Sequence, residues 1–329
     1  MNPFTYARAA DPQQAIDGLT SHPNSKFLGG GTNLIDLMKM GVEQPTHLVD
    51  INRVPLTQIE ELPDGGVRIG GLARNSDVAE HPLIVSRYPM LSQALLAGAS
   101  PQLRNLATTG GNLLQRTRCY YFYDPVFPQC NKRVPGSGCG ALNGYNRIHA
   151  ILGQSEQCIA TNPSDMNVAL AALDAVIRVQ GANGERTIPI GDFHRLPGTT
   201  PQKDTNLNAD ELITAVDLPA VPFATRSHYL KMRDRASYAF ALVSVAAAIN
   251  VEGGTIRDVR LALGGVAHKP WRASKAEQAL VGKAPNEQSF RAAADAELAD
   301  AKAYKDNKFK IELARRTIIR ALTTVSQMA

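Results

Sequence analysis

The spacing of apolar residues changes period several times along the 329 residues. Lys26-Phe27-Leu28 is a short apolar run that ends in Gly29-Gly30-Gly31, after which Leu34, Leu37, Met38 and Met40 recur at helical spacing. This predicts a strand over 26–28, a turn, and a helix from 34 with Thr32 or Asn33 as its cap. Short strands follow over 46–51 and 67–72, the second bounded by Asp64-Gly65-Gly66. Residues 91–98 predict a helix packed on a sheet. From 108 to 158 the periodicity disappears, and Pro125, Pro128 and Pro135 argue against regular structure. A stretch of that length is either functional or disordered. A helix resumes over 166–173, and 175–179 with 187–190 form a hairpin across Gly181 and Gly184. Past Pro219 and Pro222 come strands over 227–232, 241–249 and 259–264, then helices over 289–303 and 307–324. No internal repeat is visible. The class is α+β, with one domain over 1–221, an irregular insertion at about 115–160, and a smaller domain over 222–329.

Composition changes this picture little. Hydrophobic residues make up 44% and charged residues 20%, ordinary for a globular protein. The net charge of +5 arises from 35 basic and 30 acidic residues whose signs alternate, as in Lys231, Arg233, Asp234 and Arg235. Without a basic block the charge does not point to nucleic acid. Residues 1–20 have neither the apolar centre of a signal peptide nor a twin-arginine pair, and the longest apolar run, 239–249, is too short to span a bilayer. The expectation is no membrane insertion, and export only in company with a partner that carries a signal.

Two glycine-rich turns carry candidate chemistry. In Lys26-Phe27-Leu28-Gly29-Gly30-Gly31-Thr32-Asn33-Leu34 a strand runs through glycines into a helix, which lets backbone amides approach an anion at the helix's positive end. The turn fits neither the G-x-G-x-x-G fingerprint nor the P-loop, and alone it is equally a plain tight turn. Thr108-Thr109-Gly110-Gly111-Asn112 is a second such loop, and two could grip a pyrophosphate from both sides. In Asn162-Pro163-Ser164-Asp165, Asp165 could accept hydrogen bonds from a ribose, or the segment could simply cap a helix.

All four cysteines, Cys119, Cys130, Cys139 and Cys158, fall within 40 residues. Four thiols suit a metal centre. Zinc usually takes close C-x-x-C pairs, absent here; two disulfides suit an exported chain; iron–sulfur clusters accept wide spacing. Spacing leaves these three open.

The order F-L-G-G-G-T-N-L, R-N-x-A-T-T-G-G-N-L and N-P-S-D-M resembles the FAD-binding subunit of the molybdenum hydroxylases, the xanthine and carbon monoxide dehydrogenase group, over nearly the whole chain. Residues 233–246 are closest to the branch found in periplasmic aldehyde oxidoreductases. The resemblance implies a two-lobed FAD-binding domain and a smaller α/β C-terminal flavoprotein domain. It implies that residues 26–34 wrap the FAD pyrophosphate, that 108–112 close over it, and that Asp165 holds the ribose or adenine side. Ile213 and Lys231 fall where the family has residues around the flavin. The run from Arg118 to Asp124, with Cys130-Asn131-Lys132-Arg133 and Pro135-Gly136-Ser137-Gly138-Cys139, is similar to an insertion that binds a [4Fe-4S] cluster through the four cysteines. Gly136, Ser137 and Gly138 are then candidate amide donors to cluster sulfurs, and the aromatic run at 120–123 a shield from water, or equally plain packing against the sheet.

The implied role is electron transfer in a heterotrimer. An aldehyde is oxidised on a large molybdenum-cofactor subunit, and electrons cross the clusters of a small [2Fe-2S] subunit, reach this FAD and leave to an acceptor. No side chain is assigned general acid–base work, and the scattered His149, His194 and His228 read as structural. The rivals are a free-standing flavin oxidoreductase acting on a small substrate, and a zinc- or disulfide-stapled interaction module. The branch implies the periplasm, reached with a signal-bearing partner; the lack of a signal argues for the cytoplasm.

Overall fold

The computed structural model describes residues 1–328. Its strands form three sheets that follow one another along the chain. In the first, β1 (Thr5–Arg8), β2 (Ser25–Leu28) and β3 (His47–Asp50) lie parallel in the order β1-β3-β2. The crossover from β1 to β2 is the helix Pro12–Thr20, which the periodicity reading left unassigned. Its signals are local: Asp11 caps the Gln14 amide at 2.8 Å, a proline opens the first turn, and Ala15, Ile16 and Leu19 face inward.

The second sheet joins β4 (Ile59–Glu61), β5 (Val67–Gly70), β6 (Val176–Gly181), β7 (Gly184–Pro189) and β8 (Leu212–Leu218), antiparallel in the order β4-β5-β8-β6-β7. The expected hairpin is β6–β7, closed by a two-residue turn with Gly184 at φ +102°. The central strand β8 was not expected as an element, because its partners come from far up the chain. Asp217 of β8 accepts from Arg68 of β5 at 2.7 Å and from Arg178 of β6 at 2.7 Å.

The third sheet is β12-β11-β10-β9, built from β9 (Ser227–Met232), β10 (Val243–Glu252), β11 (Thr255–Gly264) and β12 (Trp271–Arg272). Strand β10 shows how the sequence chooses its neighbours. Val243, Val245, Ala247 and Ile249 pack into a core with the helices Ser274–Leu280, Glu287–Leu298 and Phe309–Ser326. The alternate residues Ala246 and Ala248 face the other way, where their small side chains admit the helix Asp165–Ala172. That helix is buried on every side. One hydrophobic core therefore runs from Val67 of the second sheet through this helix to Ala262 of β11. Residues 114–164 lie outside the sheets and hold one helical turn, Tyr120–Tyr123.

Candidate functional site

A cleft of about 720 Å³ opens between the first sheet and the loop that precedes β8. Its volume lies within the range of cofactor sites. Every residue over 26–34 except Leu28 lines it. None of the amides over 29–33 donates a hydrogen bond among the described residues, and the following helix Leu34–Lys39 has no side-chain cap. A row of free N–H groups at a helix start is an anion cradle.

Sterics explain the glycines. A β-carbon on Gly30 would stand 1.8 Å from the Leu106 carbonyl oxygen, and Gly31 sits at φ +72°. The first turn thus presses against the segment that leads into the second.

The second loop works differently from the first. Thr108 and Gly111 line the cleft, but the Thr108 hydroxyl caps the Gly111 amide at 3.1 Å. The amides of Thr109 and Gly110 bond the carbonyls of Ala73 and Gly71 at 2.9 and 2.7 Å. Asn112 is buried and accepts from the Ser164 hydroxyl at 2.7 Å. This loop holds the first turn in place and ties it to the helix Asp165–Ala172, while its own amides are spent on the protein.

Asp165, Ile213 and Lys231 do not line the cleft. Ile213 is a buried residue of β8 beneath Gly110. Asp165 and Lys231 meet each other: the carboxylate accepts from Lys231 Nζ at 2.7 Å and from the Tyr229 hydroxyl at 2.5 Å, while Lys231 also donates to the Ala97 carbonyl at 2.9 Å. Burial pushes the Asp165 carboxyl up, and Lys231 and Tyr229 pull against it. Ser164 caps the helix through the Asn167 amide at 3.1 Å, so the capping function is also present.

Apart from Arg116 Nε and Asp204 Oδ2, which form an ion pair with each other, three buried polar atoms of cleft-lining residues have no partner among the described residues. Asn33 Oδ1 accepts the Arg116 amide at 3.0 Å, which leaves its Nδ2 as a free donor. His194 Nε2 lies 2.9 Å from the Leu113 carbonyl, and its Nδ1 is unpaired; burial pushes the imidazole down to about 4, so it stays neutral. Gln202 Oε1 is the third. Buried polar atoms without partners are costly, so these three fit a polar ligand. Periodicity gave no sign of His194 or Gln202, which come from an irregular segment far from the glycines.

The four cysteines converge on one small pocket. They are unpaired, with Cys119, Cys130 and Cys158 buried. Cys130 and Cys139 face each other across an antiparallel bridge. Asn131 fastens this turn to the last cysteine: its Oδ1 accepts the Gly138 amide at 2.9 Å and its Nδ2 donates to the Gln157 carbonyl at 2.9 Å. The amides of Ser137 and Gly138 are consumed within the turn, by the Val134 carbonyl and by Asn131. They do not serve the sulfurs as expected. Sulfur donors come from elsewhere; the Ala160 amide reaches Cys158 Sγ at 3.4 Å. Of the aromatic run, Phe122 is buried against the cysteines and Tyr120 is exposed.

Burial pushes the Cys119 thiol up to about 12 and Cys158 to about 11. Coordination to a metal deprotonates such thiols outright. Among the described residues no three His, Cys, Asp or Glu side chains stand close enough to share one ion. The four thiols line one shared pocket.

Cleft and pocket share a wall. Leu37 lines the cleft and packs on Cys119, Cys130 and Cys158. Lys132, on the pocket side, is 1% exposed and donates to the Pro201 carbonyl at 2.8 Å and to Asp204, which lines the cleft. Asp204 also meets Arg116 at 2.6 Å, and Arg116 stacks 4.9 Å over the Phe122 ring. Burial raises the Asp204 carboxyl, but Lys132, Arg116 and His268 together outweigh it and hold it below its usual range.

The family described as the FAD binding domain in molybdopterin dehydrogenase matches residues 2–221, and the CO dehydrogenase flavoprotein C-terminal domain matches 227–325. The chain is 51% identical to the aldehyde oxidoreductase FAD-binding subunit PaoB of Escherichia coli, covering 100% of both. It is 31% identical to the glyceraldehyde dehydrogenase medium chain of Sulfolobus acidocaldarius, over 86% of this chain and 83% of that one. The solved carbon monoxide dehydrogenase of Hydrogenophaga pseudoflava superposes with a TM-score of 0.77 at 28% identity, over 99% of this chain and 98% of its counterpart. No helix among the described residues is long and apolar enough to cross a membrane.

Proposed function

The chain belongs to the FAD-binding subunits of the molybdenum hydroxylases, and from that premise we propose that it also carries a [4Fe-4S] cluster and serves a molybdenum-dependent aldehyde oxidoreductase. The observation that carries the proposal is the convergence of all four cysteines on one pocket, three of them in a buried cluster with Leu37 of the flavin cleft. Four thiols lining one pocket suit a metal centre, and their wide spacing in sequence, without a C-x-x-C pair, suits an iron–sulfur cluster better than a single zinc. The similarity to an aldehyde oxidoreductase subunit over the full chain supports the substrate class. By the same similarity, the partners are a large molybdenum-cofactor subunit and a small [2Fe-2S] subunit.

Bound FAD supplies one- and two-electron chemistry, and a cluster supplies one-electron chemistry; the protein supplies placement, shielding and tuning. The free amides over 29–33 and Asn33 Nδ2 would serve as donors to the diphosphate. His194 Nδ1 and Gln202 Oε1 offer acceptors from the opposite wall. The Asp165–Lys231 pair stiffens the support behind the cleft. Cys119, Cys130, Cys139 and Cys158 serve as thiolates, and Phe122 and Leu37 keep their pocket dry. None of these roles requires a general acid or base. Localisation follows as part of the proposal: the chain reaches the periplasm folded and bound to a signal-bearing partner.

The test is a gentle purification of the native complex, with flavin, iron and zinc counted on one sample. FAD is expected, with iron beyond what the small subunit holds in the amount a [4Fe-4S] cluster needs. Zinc in place of that iron would overturn the cluster. Aldehyde-independent turnover by this chain alone would favour a free-standing flavoenzyme. Cell fractionation with and without the large subunit tests localisation, since cytoplasmic retention in both cases contradicts co-export.

A further inference from the structure

His149 is 1% exposed, and its Nε2 lies 3.1 Å from Cys119 Sγ, while its Nδ1 has no partner. That asymmetry decides the tautomer. A proton on Nδ1 would leave a buried N–H with nothing to accept it, the rarer and costlier kind of orphan. A proton on Nε2 leaves only a bare lone pair at Nδ1 and aims an N–H at the sulfur. A sulfur that receives this bond offers lone pairs, as a thiolate does.

The ring is held for this contact from several sides. The His149 carbonyl accepts from Lys310 Nζ at 2.8 Å and from Asn307 Nδ2 at 3.3 Å. Its amide donates to the Asn146 carbonyl at 3.1 Å. Lys310 is fully buried, has no carboxylate partner, and also donates to the Gly265 carbonyl at 2.5 Å. It spends its charge on fixing this stretch of chain. Tyr120 lies edge-on to the imidazole at 6.5 Å between centroids and Tyr121 tilts against it at 6.3 Å. From sequence alone His149 reads as structural. Its ring has a narrower target.

We infer that His149 donates a hydrogen bond to the Cys119 thiolate and thereby raises the reduction potential of the cluster, acting as a positioning and tuning residue. This rests on the cluster reading above. Reduction adds negative charge that spreads onto the sulfurs, so an N–H aimed at one of them strengthens in the reduced state and favours it. The other cysteines lack a side-chain donor of this kind, which makes the Cys119 corner the tuned one.

The experiment is a redox titration of the intact complex, with His149→Leu removing the donor and His149→Gln retaining an N–H. The Leu variant is expected to shift the cluster potential to lower values and leave the flavin potential in place. The Gln variant is expected to lie between it and the unaltered protein. A Leu variant that holds its iron and titrates unchanged overturns the inference, as does an equal shift of cluster and flavin. If the Leu variant fails to load iron, the unaltered complex with isotopically labelled histidine decides. Weak nitrogen hyperfine coupling in the reduced cluster supports the bond. No coupling, or coupling as strong as that of a directly bound nitrogen, overturns it. An unaltered complex without the additional iron removes the cluster reading first, and this inference with it.

Discussion

In the flavin cleft, main-chain amides over 29–33 face the ligand space; in the pocket beside it, four cysteine side chains do. The cleft is open, about 720 Å³, and its specificity lies in backbone direction. The pocket is small and nearly dry, and its specificity lies in residue type. A site made of backbone fails when a β-carbon is added, and one made of side chains fails when a single atom is exchanged. The two sites are therefore separable by mutation even though Leu37 of the cleft is buried in one cluster with three of the cysteines.

The largest expected effect falls on the cleft. Gly30→Val forces a side chain into the Leu106 carbonyl, which stands 1.8 Å from the β-carbon position. The turn must move, at a cost on the order of 3 kcal/mol, and the amides lose their alignment. The complex should lose most of its FAD by absorbance and keep its iron. Full flavin occupancy would show that the turn does not bind it. Cys158→Ser is the converse: the volume hardly changes, but the soft thiolate is lost. Iron should fall to a small fraction while FAD stays, and equal loss of both would mean that the shared wall couples the two sites.

Lys132→Met strikes the wall itself and ranks next. Removing a nearly inaccessible cation leaves Asp204 leaning on Arg116 and His268. Because Asp204 keeps some solvent contact, the cost should be about 2–3 kcal/mol, below that of a fully buried pair. The pH dependence sharpens this. Asp204 titrates below its ordinary value in the fold, so its contribution is present above about pH 4 and is lost as pH falls through the folded value. Urea unfolding at several pH values should find the variant closest to the unaltered protein at the acid end, where a protonated Asp204 no longer needs Lys132. A gap that widens towards acid would rule out this pair as the cause.

What could be read from the sequence divides along the same line. The strand, glycines and helix over 26–34 were legible because the cradle is local: its amides, its turn and its helix start are nine consecutive residues. The opposite wall was not, because His194 and Gln202 reach the cleft from an irregular loop with no period to betray it. Residues 108–112 look as amide-rich as the first turn, yet Ala73 and Gly71, some 36 and 39 residues upstream, take up those amides. The identity of the partners is tertiary information. In the pocket, the four cysteines announced themselves by type, and their convergence did not follow from spacing. It depends on Asn131 bracing one turn against Gln157. Strand β8 went unread for a related reason, since it gains its place only by pairing with β5 and β6 across long stretches of chain.

The smallest expected effect tests whether the second loop is a support or a ligand-binding turn in its own right. Thr108 is the point where the two roles part, because its hydroxyl occupies the Gly111 amide at 3.1 Å while the side chain as a whole lies beside Gly29. Thr108→Val keeps the shape and removes only the cap, which should cost about 1 kcal/mol of stability. As a support, the loop should stay packed under Gly29 and Gly30, and FAD affinity should fall no more than a few-fold. If the loop instead grips the diphosphate itself, the freed Gly111 amide becomes an extra donor and FAD binding should tighten. Isothermal titration of flavin-stripped complex distinguishes the two outcomes, and tighter binding would return the second loop to the role its glycines first suggested.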